Sequence, residues 1–308
     1  MPKPIKLFEP DLTAVVVVDD WKGSPPRQKP DDPVFFAARL FLRSDIPRTT
    51  DLERLLRAAN AGDWHGSGPT SLFYGTDASA RIISRLRRSR SRFYTRRTLY
   101  GDHADPEFQE QINEVRRDHP ECSKAWNDFS TPYTAGLFAF LNHLASLLAA
   151  QQEMHVVSDV KRLRIVCDVQ DWQQGARGTG GLIPMPIQQA KDDIARGYRA
   201  ESFTIRRDDH ADVDRYRPFM GLVDSEAYAY GRVLTTKLRD GATIQDRIAA
   251  RQPDEPVLSD EDLVHVAETR LHGKMAAYID SVLRTHRWHT VWDPLDPNRP
   301  GDPMMMIR

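Results

Sequence analysis

The clearest pattern near the start of the chain is an unbroken apolar run, Ala14 to Val18, rich in β-branched residues and closed by the adjacent acids Asp19 and Asp20. A run this short, without polar alternation, predicts a strand covered on both faces over residues 13–19. The Gly, Ser and Pro residues of 23–33 read as the turn that follows, and the apolar pattern resumes as a second strand over 34–42. Next comes a helix to about residue 61, capped by Thr49 or Thr50, with Glu53 placed for a capping box on Thr50 and Gly62 as its stop. A polar loop spans 63–75, a helix runs from about 77 to 88, and a third strand covers 93–100. Residues 105–128 are rich in charge and lack an apolar stripe, which suggests an inserted helical segment or lid.

Further along, residues 133–150 are apolar on most faces and predict a helix lying on the sheet. A fourth strand is expected over 162–168, ending on Asp168, followed by a glycine-rich loop over 175–181 and a helix over 184–196. A fifth strand over 199–205 and an amphipathic helix over 222–238, with Asp224 in its first turn, complete the core pattern. The division that results is a main α/β domain over 1–240, with an insertion at about 101–130, and a C-terminal part over 241–308. That last part reads as a helix over about 259–286 and an irregular arm holding four prolines, whose Trp288 and Trp292 need burial against the body or a second copy of the chain.

With 308 residues, 40% of them apolar, the chain has enough material for a sizeable core. No apolar run approaches the roughly 18 residues of a membrane span, and the N-terminal residues lack a secretion-signal pattern, so a cytoplasmic protein without a membrane partner is expected. The two cysteines, Cys122 and Cys167, have no CxxC spacing, which suits a reducing compartment and excludes a cysteine-based zinc site. A net charge of -1 argues against a uniformly basic nucleic-acid coat, yet it hides one polarised segment. Between Arg81 and Arg97 stand eight arginines and no acid. Guanidinium groups match phosphate oxygens in pairs, so Arg85, Arg87, Arg88, Arg90 and Arg92 are candidates for contacting nucleic acid. The plainer account is a solvated helix face leading into an edge strand.

In the order that results, the first three strands should be antiparallel and the later ones joined by crossovers. This resembles the order of an RNase H-like sheet, in which the ends of strands one and four lie side by side. Asp19 or Asp20 would then meet Asp168, and a helix on that face would add Asp224. Crowded carboxylates repel, and hard divalent cations such as Mg²⁺ or Mn²⁺ relieve the repulsion, as in two-metal sites for phosphodiester hydrolysis. Alternatively, Asp168 is merely a strand-end acid and Asp224 an acid favoured by a helix N-terminus.

At these residues a family resemblance appears. Val18-Asp19-Asp20-Trp21-Lys22-Gly23 resembles the opening Asp-Glu-Ser-Gly motif of a bacterial and phage family of unknown function, thought to be RNase H-like and suspected of nuclease activity. Asp63-Trp64-His65-Gly66-Ser67 resembles that family's His-Ala-Ser segment, Ile165-Val166-Cys167-Asp168 its strand-end acid, and the stretch from Met220 to Ala229 its closing Leu-Gln-Leu-Ala-Asp-Leu-Ile-Ala helix. The resemblance spans residues 13–238. It implies a metal-dependent nuclease with Asp19, Asp20, Asp168 and Asp224 as ligands. In this sequence Asp20 stands where the family has Glu, and Trp21 where it has Ser.

Other readings start from the same residues. Val15 to Asp20 also looks like the opening of a response-regulator receiver, which needs a second apolar strand ending in Asp about 40 residues on; Asp63 instead follows a helical pattern. A phosphatase of the Asp-x-Asp type would need an acid at Trp21. His65 could act as a proton shuttle or ligand, or simply cap a turn. The loop around Gly178, Gly180 and Gly181 lacks the spacing of a nucleotide-binding loop. The rival of a different class is a non-catalytic scaffold that uses the arginine segment to hold nucleic acid or an acidic protein, its acids being structural.

Overall fold

The computed structural model describes residues 7–8, 10, 12–22, 33–64, 71–73, 77–89, 91–99, 162–167, 202–207, 213–250, 258–269 and 291–292, with single positions at 106, 109, 110, 113, 117, 140, 275 and 277. The chain is a mixed α/β protein, and its described residues form a sheet of six strands. Strand β1 (Ala14–Lys22) pairs antiparallel with β2 (Pro33–Leu42), and after helices α1 (Ile46–Ala58) and α2 (Asp77–Arg88), β2 pairs antiparallel with β3 (Arg92–Leu99). Strand β4 (Arg162–Cys167) lies parallel to β1, and β5 (Ser202–Arg207) parallel to β4. Helix α3 (Val213–Leu234) follows, then α4 (Ile244–Ala250), α5 (Asp260–Glu268) and a two-residue strand β6 (Val291–Trp292). The strand order is β5-β4-β1-β2-β3-β6, so β1 sits inside the sheet with β2 on one side and β4 on the other.

This position explains the composition of β1. Val15, Val16, Val17 and Val18 are all buried because both faces of an interior strand are covered. One face carries Val15, Val17, Phe35, Ala37, Phe41, Phe93 and Val166, which join residues of α1, α2 and α3 in a single core. The opposite face carries Val16, Val18, Phe36 and Leu40, also buried, and there the ring of Phe140 stacks on Phe36 with centroids 5.9 Å apart. Helix α3 lies along the first face in the same sense as β1. Near its start Phe219 packs edge-on against Phe41 at 4.9 Å, and near its end Tyr230 meets Phe35 and Phe93 at 6.4 and 6.1 Å.

Two glycines permit this close approach. A Cβ on Gly221 would lie 1.9 Å from the carbonyl oxygen of Ala61, and one on Gly231 would lie 2.1 Å from the ring of Trp21. The segment after residue 240 shares the same core, since Ile244, Leu258, Val266 and Met275 belong to it.

Several sequence expectations change in the structure. Helix α1 begins at Ile46 with Pro47 in its first turn, ahead of Thr49 and Thr50, whose hydroxyls donate to the carbonyls of Asp45 and Ile46. The expected capping box is absent: Glu53 is buried and its carboxylate accepts from Arg57 Nε at 2.8 Å. A capping box does occur at α5, where Ser259 and Asp262 exchange bonds. Helix α3 starts nine residues before the expected 222 and runs through Pro218, which places Asp224 near its middle, away from the first turn. The dipole account of Asp224 therefore lapses. Residues 291–292, expected to be irregular, pair with β3. The expected helices over 133–150 (apart from Phe140) and 184–196 lie outside the described residues, as do most of 105–128 and all of 175–181.

Candidate functional site

Strand β1 brings Asp19 and Asp20 to its C-terminal half, where both are half-buried. Side chains alternate along a strand, and the register shows which face each acid takes. Asp19 is opposite Ala37, on the face covered by α3, whereas Asp20 is opposite Phe36, on the face covered by Phe140. The two neighbouring acids therefore belong to different sides of the sheet. The Asp19 carboxylate accepts a 2.8 Å bond from the backbone N–H of Asp20, which holds it close to the strand.

Helix α3 brings Asp224 to Asp19's side. From Tyr216 to Leu234 the less buried positions of this helix form one stripe through Arg217, Asp224, Tyr228 and Arg232. Gly221, one turn before Asp224, rests on Ala61, and Tyr228, one turn after it, meets the Trp21 ring at 6.2 Å. Because Trp21 is two residues beyond Asp19 on the same face of β1, Asp224 lies on the part of α3 that runs past the acid end of that strand.

The parallel pairing of β1 with β4 matches Val16 to Ile165, Val17 to Val166 and Val18 to Cys167. In sequence the next residues are Asp19 and Asp168. Asp168 and His65 lie outside the described residues, and among the described residues no group of three or more His, Cys, Asp or Glu side chains is arranged to hold a metal ion. Two of the four expected ligands, Asp19 and Asp224, are thus on one face, Asp20 is on the other, and the donor type common to all is a hard carboxylate oxygen, as Mg²⁺ and Mn²⁺ require.

The arginine segment divides between α2 and β3. Arg87 and Arg88 are exposed in the last turn of α2, Arg85 reaches Asp51 on α1 at 3.4 Å, and Arg92 opens β3. Arg90 lies outside the described residues. The amphipathic α2 turns Ile82 and Leu86 into the core, so its basic face is the solvent face.

Sequence reasoning missed a buried ion pair on the sheet face that carries Asp19. Arg39 on β2 and Glu226 on α3 are both buried and form a two-pronged ion pair: Nε donates to Oε2 at 2.8 Å, and Nη2 donates to Oε1. Nη1 of the same guanidinium donates to Ser91 Oγ at 2.9 Å, and the group lies over the Phe93 ring, 5.2 Å from its centroid. A weaker polar anchor joins the start of α3 to β4, where Arg164 Nη1 donates to the hydroxyl of Tyr216 at 2.9 Å. The signal that could have found Arg39 is that it is the one charge in the apolar run Val34 to Leu42, a strand buried on both faces.

Comparison with protein families, with curated proteins and with solved structures returns no match.

Proposed function

We propose that the chain is a metal-dependent phosphodiesterase acting on nucleic acid, with an RNase H-like sheet and a relation to the bacterial and phage family that its motifs resemble. The observation that carries this reading is the parallel register of β1 and β4, in which Val18 faces Cys167 and each is followed in sequence by an aspartate. The strand order, with three antiparallel strands flanked by a parallel pair on the β1 side, supports the same fold. Asp224, on the α3 stripe that passes Asp19, supports a third carboxylate.

In this reading Asp19, Asp168 and Asp224 hold Mg²⁺ or Mn²⁺, and Asp20, facing the other side, takes at most an indirect part. When bound, the ion supplies Lewis-acid activation of water and offsets charge at the phosphate. No Ser or Cys nucleophile is then needed. The residues of this chain do the positioning: Asp19 is tied to its own strand, while the exposed Arg87 and Arg88 offer phosphate contacts that hold the strand of the substrate.

The exposed arginines by themselves favour a second reading, a nucleic-acid-binding scaffold whose acids are structural. A panel of single- and double-stranded DNA and RNA, incubated with Mn²⁺ and either the wild type or Asp168→Asn, separates the two. Cleavage by the wild type alone supports the enzyme. Equal cleavage by both points to a contaminant, and binding without cleavage favours the scaffold.

A further inference from the structure

We infer that the buried Arg39–Glu226 pair is a positioning device that sets the register of α3 against the sheet and so aligns Asp224 with Asp19; its role toward the acids rests on the metal-site reading above. The pair is placed for this. Arg39 is opposite Val17 in the β1–β2 register, two residues before Asp19 on the same face, and Glu226 is two residues after Asp224 on α3. Two helical residues correspond to a rise of about 3 Å and a turn of about 200°, so the ion pair holds the helix at the height of Asp224 from the opposite side and fixes the rotation that sets which way Asp224 faces.

The energetics favour alignment over stability as the reason for the pair. Apolar residues of similar volume usually fill such a site at equal or greater stability, because two desolvated charges recover little net free energy. What apolar contacts lack is direction. The apolar contacts of α3, through Phe219, Leu222, Val223, Ala227 and Val233, tolerate a small slide or rotation. Among the described residues its other directional bonds run to β4 and to loop residues, from Tyr216 to Arg164, from Arg217 to Gly62 and Asp63, and from Ser225 to the Leu72 amide, so the Arg39 pair is the bond that ties the helix to β2. A two-pronged guanidinium–carboxylate pair has one geometry, and here the third arm on Ser91 keeps the guanidinium from turning with the helix. Ser91 in turn meets Ser89 at 2.5 Å, and Ser89 donates to the Leu86 carbonyl at the end of α2, so the anchor reaches the turn that carries the arginine segment. Carboxylates sharing an ion tolerate only a few tenths of an ångström of error, far less than a slide of α3 would introduce.

The test compares the wild type with the double substitution Arg39→Met/Glu226→Leu, which removes both charges of the pair together. Melting temperature, Mn²⁺ affinity by calorimetry and amide hydrogen exchange along residues 222–229 are measured on each full-length protein. The expected result is a melting temperature equal to or above that of the wild type, faster exchange over 222–229, and Mn²⁺ affinity lowered roughly 10- to 100-fold, as for other groups that orient ligands. Unchanged exchange and unchanged affinity in the folded double variant would overturn the proposal, as would a double variant that fails to fold, which would assign the pair to stability. If the wild type itself binds no Mn²⁺, the metal reading of the acids fails separately, and the exchange rates alone decide whether the pair sets the helix register.

Discussion

Arg39 and Glu226, separated by 187 positions, meet in the buried layer between β2 and α3 as a two-pronged ion pair. Removing either partner leaves the other charge desolvated. Arg39→Ala or Glu226→Ala should each lower stability by about 3–5 kcal/mol, whereas the apolar pair Arg39→Met/Glu226→Leu should stay near the wild type. Urea denaturation of the three variants checks this. Single losses under about 1 kcal/mol would mean that water reaches the site.

The helix also depends on Gly221. Its added Cβ would meet the Ala61 carbonyl oxygen, a backbone atom that cannot swing aside, while at Gly231 the obstacle is the half-exposed ring of Trp21. Gly221→Ala should therefore cost more than the roughly 1–3 kcal/mol typical of overpacking, and Gly231→Ala less than Gly221→Ala. Combining Gly231→Ala with Trp21→Ala should cost less than the sum of the two single changes, because the clash disappears with the ring. Additive losses would show that the two residues do not oppose each other.

A third expectation concerns the basic face. Replacing Arg87, Arg88, Arg90 and Arg92 by Gln should weaken nucleic-acid binding and flatten its salt dependence, by roughly one slope unit for each lost phosphate contact. The buried face of α2, with Ile82 and Leu86, is untouched by changes at the exposed Arg87 and Arg88. An unchanged salt slope would assign the segment to structure or to a protein partner.

How much of this was legible before the fold was known depended on whether one segment's own chemistry decided the outcome. The buried β1, the amphipathic α2 and the parallel placement of β4 beside β1 follow from local pattern and from the connectivity it implies. The early start of α3 did not, because Pro218 reads as a breaker. It occupies the sixth helical position, and neighbours on both sides are held from a distance, Tyr216 by Arg164 and Phe219 by Phe41. The separation of Asp19 from Asp20 was contained in strand alternation, but only the register against Ala37 and Phe36 says which acid faces α3. Arg39 stood out as a lone charge in an apolar strand, but its partner Glu226 was invisible because that pairing comes only from tertiary packing.

The proposed metal site also predicts how stability responds to metal. Saturating Mn²⁺ at about 100 times its dissociation constant should stabilise the wild type by about 2.7 kcal/mol. Without metal, Asp168→Asn should be as stable as the wild type or more so, since one repelling charge is gone. Thermal melts with and without Mn²⁺ check both statements, and a variant clearly less stable than the wild type in the absence of metal would assign Asp168 a structural partner.

The central claim is that Asp19, Asp168 and Asp224 share a divalent cation, and the most direct measurement is a calorimetric Mn²⁺ titration of the wild type beside Asp168→Asn. Binding by the wild type, weakened tenfold or more in the variant, a loss of about 1.4 kcal/mol or greater, is the expected result. Absence of binding in the wild type, or equal affinity in the two proteins, would contradict the account.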